Sequence, residues 1–185
     1  MISRSLILLL LCLPFSAAVA AIGTSARDTG RSDTRSPDEI VYSIVIDKSD
    51  YELMLFENGE WIATYPVVFG NKDQGDKLME GDRRTPEGRF RITGKRKHPE
   101  WGFFLLLDYP NPESISRFTD RKKAGQIPRS ARIGGGIGIH GTRRNEEYAV
   151  DRFMNWTEGC ISVKYSHISE LYGMLPVGTS VEIRK

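Results

Sequence analysis

Val41-Tyr-Ser-Ile-Val-Ile-Asp47, Tyr51-Glu-Leu-Met-Leu-Phe-Glu57 and Trp61-Ile-Ala-Thr-Tyr-Pro-Val-Val-Phe69 follow one another with only short breaks between them. The first is rich in β-branched residues, and the other two flank Asn58-Gly59, a pair in which both residues tolerate positive φ. This is the spacing of a strand followed by a tight hairpin. Apolar side chains fall on both parities, Tyr51, Leu53 and Leu55 on one and Met54 and Phe56 on the other, which predicts sheets covered on both faces, as in a sandwich.

Further along the chain, shorter strands are predicted at Gly88–Thr93, Gly102–Asp108, Ile133–His140, Cys160–Val163 and Ser180–Arg184. Helical signals are few. Pro112–Lys123 has Pro near its start and Gly125 beyond its end. Tyr165–Leu175 places Ile168, Leu171, Tyr172 and Leu175 on one face before Pro176. The fold class expected is therefore mostly β, a sandwich of mixed sheets with one or two short helices. Asn71 to Glu87 is long, polar and Gly-containing, a length that suggests a functional loop covering a groove.

The chain of 185 residues has room for one domain with a tail. Met1 to Ala21 combines Arg4, an apolar run from Leu6 to Phe15 and small residues at Ala18-Val19-Ala20. Ten apolar residues are too few for a hydrocarbon core of roughly 30 Å at about 1.5 Å per residue. We read residues 1–20 as a cleaved secretory signal and expect a periplasmic or secreted protein with no stable membrane span after cleavage. Residues 21–38 alternate Arg with Asp and hold almost nothing apolar, the composition of a flexible tether. The folded domain is expected over 39–185. Removal of the leader takes Cys12 with it, so Cys160 is left as a lone thiol in an oxidising compartment.

Net charge is +2, and about +1 once Arg4 is removed, which does not suit a nucleic-acid binder. The chemistry-bearing stretch runs from Ile139-His140-Gly141-Thr142 to Thr157-Glu158-Gly159-Cys160-Ile161-Ser162-Val163. His140 ends one β-like run and Cys160 begins another. Adjacent strand ends could place an imidazole beside a thiol, which is only a few per cent ionised at neutral pH when its pKa is about 8.5. Gly159 would let a substrate carbonyl approach, and the amides around Gly159 and Cys160 could donate to an oxyanion. No Asp or Asn stands ready to orient the imidazole, which leaves the Gly141 carbonyl. The residues alone fit equally well with Cys160 as a small core hydrophobe and His140 as a strand-end histidine.

His-Gly-Thr followed by Thr-x-Gly-Cys-Ile-Ser resembles the signature of the L,D-transpeptidase (YkuD-type) catalytic domain. Thr85-Pro86-Glu87-Gly88-Arg89-Phe90 and Leu175-Pro176-Val177-Gly178-Thr179-Ser180-Val181 fit the same family, and the likeness covers roughly residues 40–185. It implies Cys160 as nucleophile, His140 as general acid and base, and Gly141 as the group orienting His140. Glu158 replaces the family's usual His, and Ser162 stands where Asn or Arg is frequent; both would border the acyl groove with Thr157 and Gly159. Arg143, Arg144 and Arg152, lying between His140 and Cys160, are candidates for binding stem-peptide carboxylates, and Trp156 for walling the pocket.

The expected activity is acyl transfer on peptidoglycan stem peptides through a Cys160 thioester, cross-linking strands or anchoring a protein to the wall. A hydrolase using the same thioester, trimming stems or releasing wall-bound protein, and a non-catalytic wall-binding module are the rival readings. No metal or organic cofactor is implied. Gly136-Ile-Gly138-Ile-His140-Gly141 matches a dinucleotide pattern but lacks the helix that would cap a phosphate. His98, His140, His167 and Cys160 match no zinc spacing, and His98 and His167 are expected to be solvated.

Overall fold

The computed structural model describes residues 40–185; the expected leader (1–20) and tether (21–38) lie outside the described residues. Strands β1 (Tyr42–Asp47), β2 (Glu52–Glu57) and β3 (Glu60–Pro66) form an antiparallel meander. Its hairpin turn is Asn58-Gly59, at φ 52° and 87°, the left-handed pair that matches strand twist. Ile44, Ile46, Leu53 and Leu55 are buried, while Met54 and Phe56 are only half-buried. Each fully buried aliphatic side chain contributes about 1.5–3 kcal/mol.

Strands β4 (Gly88–His98), β5 (Gly102–Leu107), β6 (Gly138–Gly141), β7 (Ile161–Val163) and β8 (Ser180–Arg184) complete one sheet of eight, in the order β3-β2-β1-β8-β4-β5-β6-β7. β8 runs parallel to β1 and antiparallel to β4, so the last strand of the chain joins the two halves. β4 turns the corner between them. Gly88–Arg91 pair with β8, Ile92–His98 pair with β5, and the register shifts between Ile92 and Gly94, a bulge of the kind that bends a strand from one layer to the next.

The two edges of the sheet also meet. Val68, just beyond β3, and Ser162 on β7 exchange backbone hydrogen bonds of 2.9 and 2.8 Å. The two layers that the sequence predicts are therefore one mixed sheet curled nearly into a barrel, with Phe90, Ile92, Leu105, Ile139, Ile161, Val181 and Ile183 in its core.

Helix α1 (Pro112–Lys123) begins where expected: Asn111 Oδ1 accepts from the Ser114 amide at 3.0 Å, and Pro112 occupies the first turn, where its missing N–H costs nothing. A one-turn helix, α2 (Tyr148–Asp151), was not expected; it lies inside the connection that makes β6 and β7 parallel. Helix α3 (Tyr165–Met174) buries Ile168 and Leu171 and packs on β5 and β6. Three strand expectations change by more than a residue. β3 ends at Pro66 rather than Phe69. β4 continues through the basic run Lys95-Arg96-Lys97 to His98, and β6 starts at Gly138 rather than Ile133, because Gly134 and Gly136 adopt positive φ. At Gly138 a Cβ would stand 2.5 Å from the Leu105 carbonyl oxygen, so only glycine lets β6 lie this close.

Among the described residues no helix is long and apolar enough to cross a membrane.

Candidate active site

β6 and β7 pair in parallel, with His140 opposite Ser162. Side chains alternate along a strand, so Cys160, two residues before Ser162, belongs to the same face as His140. His140, Cys160, Trp101, Trp156, Thr157 and Glu158 line a single cavity of about 150 Å³.

His140 is 1% exposed. Its ring stacks on Trp101 (centroids 4.4 Å, 24° between planes) and lies parallel to Phe104 at 5.8 Å, while Trp156 meets it edge-on at 5.4 Å. Burial pushes its pKa down to about 4; the Gly141 carbonyl works the other way, and His98 adds to the lowering. The ring is thus neutral at pH 7. Nδ1 lies 2.9 Å from the Gly141 carbonyl oxygen. A carbonyl only accepts, so Nδ1 carries the proton and donates, leaving Nε2 with the free lone pair.

Cys160 is half-buried, with Sγ 3.6 Å from the Gly136 carbonyl oxygen. Burial pushes its thiol above the ordinary range, against weaker opposing pulls from the Gly138 backbone and Lys77. Thiol and imidazole are therefore both uncharged at rest, unlike a preformed thiolate–imidazolium pair.

Thr157 shapes the turn into Cys160. Its hydroxyl donates to the Cys160 carbonyl at 2.7 Å and accepts from the Gly159 amide at 3.2 Å. The Gly159 amide is thereby engaged within the turn, which favours the Cys160 amide as an oxyanion donor. Gly159 has φ +122°, and a Cβ there would sit 2.8 Å from the Arg84 carbonyl oxygen, so no other residue fits.

The Asn71–Glu87 loop buttresses this turn. Thr85 Oγ1 donates to the Gly159 carbonyl at 3.0 Å, Arg83 Nε donates to the Thr157 carbonyl at 3.3 Å, and Arg83 pairs with Glu158 at 3.2 Å. The loop itself is pinned by ion pairs: Lys77–Asp82 at 2.7 Å, Arg121–Asp76 at 2.6 Å and Lys48–Glu87 at 2.7 Å. Burial alone would raise the Asp82 carboxyl, but Lys77 and the amides of Met79, Arg84 and Leu78 hold it low. Lys48, 1% exposed, also donates to the carbonyls of Gly75 and Thr85. In place of the groove cover suggested by its length, the segment is a braced wall.

Of the remaining sequence candidates, Ser162 is fully buried with no partner for its Oγ. Arg143 lies away from the cavity, paired with Glu100 at 3.0 Å and Glu146 at 3.4 Å. Arg144 donates to the Tyr165 hydroxyl at 3.0 Å, and Arg152 lines a different cleft. Sequence reasoning missed Trp101. His98 stacks on it at 4.0 Å and accepts from its backbone amide, so His98 holds the ring that covers His140 and is not simply solvated. His167 packs edge-on against Tyr65 at 5.2 Å, also unlike the expectation. Among the described residues no cluster of His, Cys, Asp or Glu could hold a metal ion.

The chain matches the YkuD family, the L,D-transpeptidase catalytic domain, over residues 41–183, and belongs to it. A Bacillus licheniformis protein named "Putative L,D-transpeptidase YkuD" is 26% identical over 151 residues, covering 80% of this chain and 69% of that protein. The Campylobacter jejuni helical cell shape determining protein Pgp2 shares the fold with a TM-score of 0.56 at 24% identity, over 80% of this chain and 49% of that one. An Enterococcus faecium L,D-transpeptidase does so with a TM-score of 0.52 at 18% identity, over 79% and 50%. The chain spans about half the length of these two solved structures.

Proposed function

We propose that this protein is a cysteine-dependent L,D-transpeptidase acting on peptidoglycan stem peptides in an exported location. The observation that carries the reading is that Cys160 and a neutral His140, with Nε2 unprotonated, line one cavity walled by Trp101 and Trp156. In the first stage the thiol proton passes to His140 Nε2 as Sγ attacks the carbonyl carbon of an L-configured centre. The tetrahedral oxyanion is held by the Cys160 amide. Its collapse breaks the C–N bond, His140 returns the proton to the departing amine, and a Cys160 thioester remains. In the second stage an incoming amine gives its proton to His140, attacks the thioester carbonyl and releases the Cys160 thiolate, which takes the proton back. One amide replaces another, so the exchange needs no nucleotide. Trp101 and Trp156 flank the imidazole, and apolar walls of this kind would favour an amine acceptor to the extent that they keep water from the thioester. A wall-anchored protein bearing a suitable amine would serve as acceptor by the same route.

Intact-mass spectrometry after exposure to a carbapenem tests the nucleophile: the wild type gains one adduct and Cys160→Ala gains none. Absence of an adduct on freshly reduced wild type refutes the enzymatic reading and leaves a wall-binding module. Incubation with purified muropeptides then separates transfer, which yields dimers, from hydrolysis, which yields shortened monomers.

A further inference from the structure

A second cleft, about 560 Å³ in volume, lies between the Gly70–Lys72 stretch, Arg83 and the Arg152–Asn155 turn. Among the described residues three cationic side chains line it and no carboxylate does. Among the described residues Lys72 and Arg152 have no ion-pair partner, whereas Arg83 pairs with Glu158, a residue that lines the Cys160 cavity. Phe153 and Met154, in the same cleft, are 54% and 48% exposed.

Backbone strain gathers at the same place. Among the described residues four that are not glycine adopt positive φ, and one of them, Asn58, is in the hairpin turn. The other three are Tyr51 at 58°, Arg83 at 59° and Phe153 at 52°. Arg83 and Phe153 line the cleft. The Tyr51 ring meets that of Phe153 at 5.3 Å, and its hydroxyl accepts from Asn155 Nδ2 at 3.1 Å. A bulky aromatic residue held in the left-handed region with its ring left in solvent is a costly arrangement that tends to mark a binding site.

We propose that this cleft is a second peptide subsite, which takes an acidic peptide whose carboxylates meet Lys72, Arg83 and Arg152 and whose apolar portion covers Phe153 and Met154. Planar guanidinium groups suit carboxylates, and an apolar floor beside them suits a peptide better than a free anion. The choice of a stem peptide as occupant rests on the proposed function; the cleft's selectivity for an acidic peptide does not. Arg83 touches both sites, through Glu158 and through the carbonyls of Trp156 and Thr157, so occupancy of the cleft bears on the turn that carries Cys160.

The test uses the full chain carrying Cys160→Ala, which cannot turn over, titrated with a disaccharide-tetrapeptide muropeptide and followed by amide chemical shifts. The expected shifts fall on residues 70–72 and 152–155. Converting the peptide carboxylates to carboxamides should weaken binding at least tenfold, as should Lys72→Glu with Arg152→Glu, whose melting temperature stays close to the parent's because both side chains lie on the surface. Phe153→Gly relieves the strained φ and removes the ring, and should raise stability while weakening binding about threefold. The proposal is overturned if the shifts are confined to the Cys160 cavity, if the amidated peptide binds as well, or if an oligonucleotide displaces the muropeptide at 150 mM salt. A wild type that forms no carbapenem adduct would remove the proposed reaction yet leave this titration readable.

Discussion

His140 links stability to acidity through a calculable amount. Its pKa is held at about 4, against 6.5 when free, chiefly by burial. A histidine with a depressed folded value stabilises the fold above pH 6.5, and that contribution is lost as pH falls toward 4, because the unfolded chain binds the proton first. The full displacement corresponds to about 3 kcal/mol, of which about 2 kcal/mol is gone by pH 5. His140→Gln keeps an amide donor for the Gly141 carbonyl and cannot titrate. Urea unfolding of both proteins at pH 7, 6, 5 and 4 gives the difference directly, and other groups cancel in it. The wild-type midpoint should fall toward that of the variant by about 1 M between pH 7 and pH 5, for a urea dependence of about 2 kcal/mol per M. A constant gap between the two proteins across this range would refute the buried, neutral imidazole.

The same depression sets the acid limb of carbapenem acylation near pH 4, and a limb at pH 6.5 would contradict it. Alkylation of Cys160 by iodoacetamide should keep accelerating through pH 9, since burial raises the thiol; a plateau at pH 7 would indicate a resting thiolate. Thr157→Val should slow acylation at least tenfold and cost about 1–3 kcal/mol by stranding the Gly159 amide, whereas Thr157→Ser restores both, as read by adduct kinetics and thermal melts. Lys48→Met removes the cation from Glu87 and should cost about 3 kcal/mol in urea unfolding, with Cys160 acylation slowed as the Thr85 support of the Gly159 carbonyl loosens.

The hairpin at Asn58-Gly59 and helix α1 were legible because their signals are local: a left-handed dipeptide, and an Asn cap followed by Pro. The extension of β4 was not. Lys95-Arg96-Lys97 shows no apolar alternation, and the run becomes strand only because β5 pairs with it from beyond a turn. The family motif singled out His140 and Cys160, but nothing near them in sequence points to Trp101 or Thr85. Those residues reach the site through pairings that join segments far apart in the chain. Arg143 and Arg152 were plausible by proximity in sequence, yet Arg143 is taken up by Glu100 and Glu146 and Arg152 lines a separate cleft.

The position of β8 makes the last strand the seam of the sheet. Residues 180–184 sit between β1 and β4, so the β1–β3 meander pairs with β4 only through β8. Removing those five residues should therefore cost far more than their share of the chain, because it parts one half of the sheet from the other along this seam.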